Sequence, residues 1–189
     1  MVETNDRRLP VGIQSFEEIR KNGYLYVDKT DIIWQLANKG KTYNYLIRPR
    51  RFGKSVLVDT LEAYFMGKKE LFEGLKIMQM ETEWVKRPVI RLDMSRAGAE
   101  PETLRSYLNN IFKQYEEEYS LAPDPTDSLA DRFNAIIVGA YEQTGQQVAI
   151  LIDEYDSPLQ HSWKTPQHEA CTAIYREVFA ILKADDKYE

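Results

Sequence analysis

An apolar run over residues 42–47 leads into a short loop that ends in Gly53-Lys54-Ser55. A helical pattern begins at once and continues over residues 54–66, until Gly67 interrupts it. A strand, a glycine-containing turn and a helix in this order form the scaffold of a phosphate-binding loop. The segment therefore predicts an α/β fold in which a core strand points its carboxyl end at an anion site.

Helical and strand patterns alternate along the rest of the chain. Capping residues predict helices that begin near Ser15 and near Asp28 or Thr30, and the last helix is expected to open at Ser162 or Thr165. Further helices are predicted over residues 102–119 and 128–141, and strands over 89–92 and 147–152. This order predicts a P-loop NTPase fold with three αβα layers and a mainly parallel sheet, incomplete at the C-terminus.

Composition places these elements in one soluble domain. Residues 1–9 are polar and are predicted to form a disordered tail, with the P-loop domain over residues 10–189. The chain has one cysteine, no apolar leader and no run long enough to span a membrane, so a reducing, cytoplasmic location is expected. A net charge of −5 argues against a generally basic nucleic-acid surface.

The loop carries the residue types that phosphate chemistry requires. Lys54 is a flexible cation that can reach the β- and γ-phosphates, and the Ser55 hydroxyl suits Mg²⁺. The first glycine of the common G-x-x-x-x-G-K-[ST] pattern is replaced by Arg48, so the loop is a degenerate P-loop. The predicted ATP-binding residues are Arg48, Pro49, Arg50, Arg51, Phe52, Gly53, Lys54, Ser55 and Val56. The three arginines either add phosphate contacts or point at solvent.

A second candidate group follows the strand over residues 147–152. Asp153 is predicted to help hold Mg²⁺ opposite Ser55, and Glu154 to orient or deprotonate the attacking water. The alternative interpretation of such a pair is a helix cap or a surface turn. Asp156 is interpreted as a turn residue, and Asp93 either as a crevice acid or as a cap.

Five segments of this sequence resemble the predicted AAA-ATPase-like family of bacteria. They are Phe16-Glu-Glu-Ile-Arg20, Gly23-Tyr24, Tyr26-Val-Asp-Lys-Thr30, Arg48-Pro-Arg-Arg-Phe-Gly-Lys-Ser55 and Leu151-Ile-Asp-Glu-Tyr-Asp156. The resemblance spans roughly residues 9–185. It implies ATP binding by Gly53, Lys54 and Ser55, with Arg48 as a regular feature of the loop. It also implies a PD-(D/E)XK nuclease-like companion domain.

The sequence departs from the resemblance after Ile152, because only a loop and a helical pattern follow. The wider class places a sensor strand between the P-loop strand and the acidic strand, and none is predicted here. The chain is therefore expected to be an N-terminal portion or a short gene product. The missing sensor strand is expected to affect ATP hydrolysis more than nucleotide binding.

Three functions remain open at this point. The first is a Mg²⁺-dependent ATPase in which Lys54 and Glu154 are catalytic. The second is a nucleotide-dependent switch without turnover, which the missing first glycine and sensor strand favour. The third is a nucleic-acid-associated protein in a defence or mobile-element setting, although the acidic composition argues against direct binding by this segment. The tyrosines over residues 107–119 are interpreted as core-edge residues rather than as a base-stacking platform. The oligomeric state is left open.

Overall fold

The computed structural model describes residues 8–39, 43–47, 49 and 52–183. The chain divides into two compact units, Met1–Lys86 (unit 1) and Arg87–Glu189 (unit 2). Helices are found in both units, and a parallel pair of strands lies in unit 2. The chain therefore has a mixed α/β fold, as the alternation of helical and strand patterns predicts. No helix among the described residues is both long and apolar enough to cross a lipid bilayer.

The described residues of unit 1 form three α-helices followed by two short 3₁₀-helices. They are α1 (Phe16–Lys21), α2 (Thr30–Lys39), α3 (Lys54–Phe65) and the 3₁₀-helices Lys69–Phe72 and Lys76–Gln79. The predicted cap at Ser15 is confirmed, because its side chain accepts a hydrogen bond from the Glu18 N–H at 3.3 Å. The helix predicted after the loop is also confirmed, with Gly67 just beyond its end at a φ of 69°.

The core of unit 1 is built around aromatic rings. Phe16 and Phe72 are both fully buried, with ring centroids 4.9 Å apart, and Tyr64 packs on Phe72. Arg20 donates to the carbonyl oxygens of Leu71 and Glu73 at 2.7 and 2.6 Å. The segment from Phe16 to Arg20 thus ties α1 to the following 3₁₀-helices, which assigns it a structural role.

The segment from Tyr26 to Thr30 is a second structural tie within unit 1. Asp28 Oδ1 accepts from both the N–H and the hydroxyl of Thr30, and Asp28 Oδ2 accepts from the Lys76 N–H at 2.8 Å. The buried Thr30 hydroxyl in turn accepts from the Ile77 N–H. These bonds satisfy the start of α2 and hold the second 3₁₀-helix against it.

The predicted strand over residues 42–47 is wrong for the part that the structure describes. Residues 43–47 form no strand and all five are exposed; residue 42 lies outside the described residues. A buried parallel strand needs neighbours to complete its hydrogen bonds. The described residues of unit 1 contain no strand, so this apolar run has no ladder to join there.

Unit 2 contains a two-stranded parallel sheet and four α-helices among its described residues. The strands are β1 (Val89–Asp93) and β2 (Ala149–Asp153), paired from Val89–Ala149 to Asp93–Asp153. The helices are α4 (Pro101–Glu118), α5 (Leu129–Thr144), α6 (Ser157–Ser162) and α7 (His168–Phe179). Two 3₁₀-helices, Met94–Arg96 and Ile181–Lys183, complete the described elements. Both predicted strands are confirmed, although β2 begins later than expected.

The core of unit 2 lies between the sheet and its long helices. Ile90 and Leu92 of β1 are fully buried, and Phe112 of α4 stacks on Phe133 of α5 at 5.1 Å between ring centroids. Ser128 caps α5 in a reciprocal capping box with Asp131, as the sequence predicts for a helix that opens there.

Tyrosine hydroxyls of α4 occupy one edge of the sheet. The N–H of Arg91 donates to the Tyr115 hydroxyl at 2.7 Å, and the N–H of Asp93 donates to the Tyr107 hydroxyl at 3.0 Å. These N–H groups point away from β2, because alternate residues of a strand direct their N–H groups to opposite sides. The edge of β1 is therefore closed by side chains, which agrees with the core-edge interpretation of these tyrosines.

The sequence prediction was wrong about the segment after β2. The short helix α6 was missed, because the residues directly after Ile152 were interpreted as a loop. Pro158 lies in the first turn of α6, a position that proline suits. The last helix, α7, begins at His168 rather than at Ser162 or Thr165.

Candidate functional site

The turn at Gly53 positions the start of α3. Gly53 has φ 72° and ψ 26°, the left-handed conformation that costs other residues about 1–2 kcal/mol. A Cβ placed there would meet no atom within 4 Å, so the backbone conformation alone requires glycine. The Gly53 carbonyl accepts from the Leu57 N–H at 3.1 Å and closes the first turn of α3.

The first turn of α3 has the electrostatic character of an anion site. Lys54 and Ser55 are its first two residues, both half-buried. The turn contains no acidic residue, whereas the first turns of α4 and α5 contain Glu102 and Asp131. The helix dipole and the Lys54 ammonium therefore place positive charge at one end of α3.

Only part of the predicted loop is described. Pro49 and Phe52 are exposed, and Val56 is half-buried in α3. Arg48, Arg50 and Arg51 lie outside the described residues, so their predicted phosphate contacts stay predictions.

A cavity of about 290 Å³ opens beside the Gly53 turn, within unit 1. Its walls come from the segments before α1 and before α2, from the loop, and from the first turn of α3. Its lining is Leu9, Pro10, Ile13, Ile19, Leu25, Tyr26, Val27, Lys29, Ile33, Phe52, Gly53, Val56 and Leu57. Eleven of these thirteen residues have no charged or hydroxyl group, so the part of the lining that the structure describes is apolar.

Tyr26 and Lys29 are the polar members of this lining. The Tyr26 hydroxyl lies 3.4 Å from the Thr60 hydroxyl, and burial raises the pKa of Tyr26 above its usual value against the effect of that hydrogen bond. Sequence reasoning missed this cavity. Two apolar stretches outside any predicted helix, Leu9 to Val11 and Leu25 to Val27, were the available signal.

The acidic residues at the end of β2 lie in unit 2. Asp153 is the last residue of the strand and is 7% exposed. Its Oδ1 accepts from the Glu154 N–H at 3.0 Å. Asp153 therefore has a largely buried carboxylate at the carboxyl end of a parallel strand, which is the end where ligands bind in open α/β sheets.

Glu154 has a strained backbone. Its φ is 48°, in the left-handed region that residues with a Cβ rarely adopt. Trp84, Ser120 and Lys164 share a positive φ, so this strain alone does not identify a functional residue. The conformation ends β2 abruptly, and the Glu154 carbonyl then accepts from the Ser157 N–H at the start of α6.

The two other acids considered from the sequence have structural partners. Asp93 Oδ1 accepts from the N–H and the hydroxyl of Ser95, at 3.2 and 2.6 Å, and so caps the 3₁₀-helix after β1. Asp156 immediately precedes α6 and accepts a hydrogen bond from the Gln160 amide. The cap interpretation of Asp93 and the turn interpretation of Asp156 match these contacts.

The donor set fits Mg²⁺ only if a nucleotide supplies part of its coordination. Among the described residues, no group of three or more histidine, cysteine, aspartate or glutamate side chains is placed to hold a metal ion. Mg²⁺ is commonly held by one or two protein oxygens together with substrate phosphates and water. Ser55 and Asp153 each have a side-chain oxygen of the kind that binds Mg²⁺, and the prediction that both bind one ion stays a prediction.

Comparison with known proteins adds a family assignment. Residues 10–188 match the family described as predicted AAA-ATPase. The chain is 33% identical over 187 residues to a protein of Azotobacter chroococcum mcd 1 described as an uncharacterized protein in the vnfD 5' region. That match covers 96% of this chain and 36% of the Azotobacter protein, so the chain spans about a third of its relative's length. No solved structure matches the chain.

Proposed function

The chain belongs to the predicted AAA-ATPase family, and from that premise we propose that it binds ATP together with Mg²⁺. The proposed binding segment is residues 48–56, with Gly53, Lys54 and Ser55 around the phosphates. In this proposal the domain supports ATP hydrolysis within the complete protein.

The observation that carries the proposal is the start of α3. Gly53, in the left-handed conformation, directly precedes α3. The first two residues of this helix are Lys54 and Ser55, and its first turn contains no acidic residue. Backbone N–H groups at a helix start bind phosphate oxygens, and a lysine there adds a mobile positive charge. This local geometry supports phosphate binding, and the family assignment supports a nucleotide as the ligand.

The proposed roles at the end of β2 follow from burial and position. Asp153 is the metal ligand, because its largely buried carboxylate has only the Glu154 N–H as a hydrogen-bond partner among the described residues. Glu154 orients or deprotonates the attacking water, since it follows the strand directly and is half-buried. Bound Mg²⁺ neutralises charge on the phosphate oxygens. Lys54 stabilises the charge that develops on the transferred phosphoryl group.

We further propose that the sheet of unit 2 is part of a three-layer P-loop fold. Tyr107 and Tyr115 close the outer edge of β1, so additional strands can join only at the other edge, beside β2. In an open parallel sheet, a ligand lies beyond the carboxyl ends of the strands. Additional strands beside β2 would place Asp153 in the interior of the completed sheet rather than at its edge.

A nucleotide-binding switch without turnover is the second candidate. It is favoured by residues 43–47, which precede the loop and form no strand. A loop that lacks a fixed strand before it can bind phosphates without holding the reacting groups in line.

Nucleotide titration by calorimetry, with and without Mg²⁺, tests the binding proposal. Lys54→Ala is expected to weaken ATP binding at least tenfold, because it removes a charge-assisted contact worth about 1.5–3 kcal/mol. The matched control is Lys69→Ala, which removes an exposed lysine from the first position of a 3₁₀-helix in the same unit. Equal ATP affinities for wild type and Lys54→Ala would overturn the proposal.

Phosphate release separates the two candidate functions. Hydrolysis that is lost in Glu154→Gln while ATP binding remains supports the ATPase. ATP binding with no hydrolysis above the Glu154→Gln background supports the switch instead. Glutamine keeps the size of the side chain at this strained position, so the comparison isolates the carboxylate.

The partner and location predictions stay proposals. They comprise a fused or associated nuclease-like domain, oligomerisation, a cytoplasmic location and a weak nucleic-acid contact through the loop arginines. DNA retention at low salt that disappears in the double variant Arg50→Ala/Arg51→Ala would support the contact. No retention by wild type at low salt would remove it.

A further inference from the structure

We propose that the apolar cavity of unit 1 receives the purine base of the bound nucleotide, with Phe52 covering one side of the ring. This inference rests on the proposed function for the identity of its ligand. Apart from Phe52, Gly53, Val56 and Leu57, the lining comes from segments before α1, in α1, before α2 and in α2. Those segments were not used to predict the phosphate loop, so their apolar surface is an additional observation.

The rim of the cavity exposes large apolar side chains. Leu9, Val27 and Phe52 are 65%, 68% and 65% exposed, and Leu25 is 41% exposed. All four line the same cavity, so these residues form one concave apolar surface. Contiguous apolar surface of this kind marks a ligand or partner site in a folded protein.

The chemistry of the lining suits a flat, uncharged ring. Among the described residues, the lining contains no carboxylate, and Lys29 is its one charged residue. A volume of about 290 Å³ lies just below the range of small-molecule pockets, which begins at roughly 300 Å³, so the cavity suits one ring system rather than a whole nucleotide. Two aromatic residues, Tyr26 and Phe52, can face a heterocycle, and ring stacking is favourable for every base.

The position of the cavity connects it to the phosphate loop. Gly53 and Val56 belong to the cavity wall, and Lys54 and Ser55 lie between them in the chain. One nucleotide can therefore contact the anion site through its phosphates and the cavity through its base. An apolar peptide or a second copy of this chain would use the rim but would gain nothing from the positive end of α3.

Two rim variants and one matched control test the assignment. Phe52→Ala and Val27→Ser remove apolar contact from exposed positions, where the fold tolerates substitution. Val11→Ser is the control, because Val11 is 86% exposed and lies outside the cavity lining. Circular dichroism and a thermal scan check that all three remain folded.

The probes are ATP, inorganic tripolyphosphate and adenosine, each titrated by calorimetry. Phe52→Ala is expected to weaken ATP binding about tenfold and to leave tripolyphosphate binding unchanged, since it removes stacking alone. Val27→Ser should act in the same direction with a smaller effect, and Val11→Ser should change neither. Lys54→Ala should weaken both phosphate-containing probes.

The outcomes separate this inference from the proposed function. Wild type that binds ATP and tripolyphosphate equally well, with no effect of either rim variant, overturns the base cavity and leaves the proposed function intact. Adenosine binding that the rim variants reduce, without tripolyphosphate binding, supports the cavity and overturns the proposed function. A dimer that the rim variants abolish while ATP binding is unchanged assigns the rim to a second copy and overturns the inference.

Discussion

Unit 1 and unit 2 differ in how many of their large apolar side chains are exposed to solvent. Unit 1 exposes them around its cavity and along residues 43–47, whereas Trp163 is the one large apolar side chain exposed among the described residues of unit 2. Unit 1 is held by side chains that bond to distant backbone groups, as Arg20 and Asp28 do. Unit 2 is held by a sheet under long helices. Exposed apolar surface is thus concentrated in the unit that contains the proposed nucleotide cavity.

The largest test of this contrast compares two phenylalanines. Phe112→Ala should destabilise unit 2 by about 3–5 kcal/mol, because Phe112 is fully buried and stacks on Phe133. Phe52→Ala in unit 1 should change stability by less than about 0.5 kcal/mol, since its ring is largely exposed. Urea unfolding followed by circular dichroism measures both. Similar losses in the two variants would contradict the division into a closed core and an open rim.

Ion pairs should show the next largest difference. Arg132→Ala in unit 2 should cost about 3 kcal/mol, because Glu116 is 5% exposed and would lose its ionic partner. Lys21→Ala in unit 1 removes an exposed partner of Glu17 and should cost less than about 1 kcal/mol. The same unfolding experiment in 0.1 and 1 M salt measures both. A loss for Arg132→Ala that disappears in high salt would show that its pair is solvated.

The tyrosine-closed edge predicts a smaller effect. Tyr115→Phe should destabilise unit 2 by about 1–2 kcal/mol, because the Arg91 N–H loses its acceptor. Tyr24→Phe is the control in unit 1, as the Tyr24 hydroxyl has no partner within the described residues. Amide hydrogen exchange should also accelerate at Arg91 in the variant. Unchanged exchange there would show that the hydroxyl does not protect the edge.

The smallest expected effect is a change in the stability contribution of Asp28 at low pH. Burial tends to raise the pKa of Asp28, but hydrogen bonds from Thr30 and Lys76 outweigh it and lower the pKa below the ordinary value of 3.8. A carboxylate with a lowered pKa in the folded state stabilises the fold fully above that ordinary value and loses this contribution as pH falls further. The stability difference between wild type and Asp28→Asn should therefore shrink below about pH 4. Asp131→Asn in unit 2 should show the same direction of change, because hydrogen bonds from Ser128 also lower the pKa of Asp131. A difference that stays constant from pH 6 to 3 would contradict the role of Asp28.

The sequence predicts the local features of both units well. Caps at Ser15 and Ser128, the glycine before α3 and the acids after β2 follow from chemistry within a few residues. The strand expected over residues 42–47 was wrong where it is described, because an apolar β-branched run becomes a strand only beside another strand. The positive φ of Glu154 carries no sequence signal. The cavity joins segments far apart in the chain, so no periodicity could reveal it.

The tyrosine hydroxyls of α4 that bind β1 also have a consequence for folding during synthesis on the ribosome. Tyr107 and Tyr115 lie only 14 and 24 residues from the backbone groups that they bind, whereas the partner strand β2 is made much later. Contacts between near neighbours in the chain form early, and a bare strand edge invites aggregation. Once α4 has left the exit tunnel, its tyrosines can cover one edge of the nascent β1 before β2 leaves the tunnel.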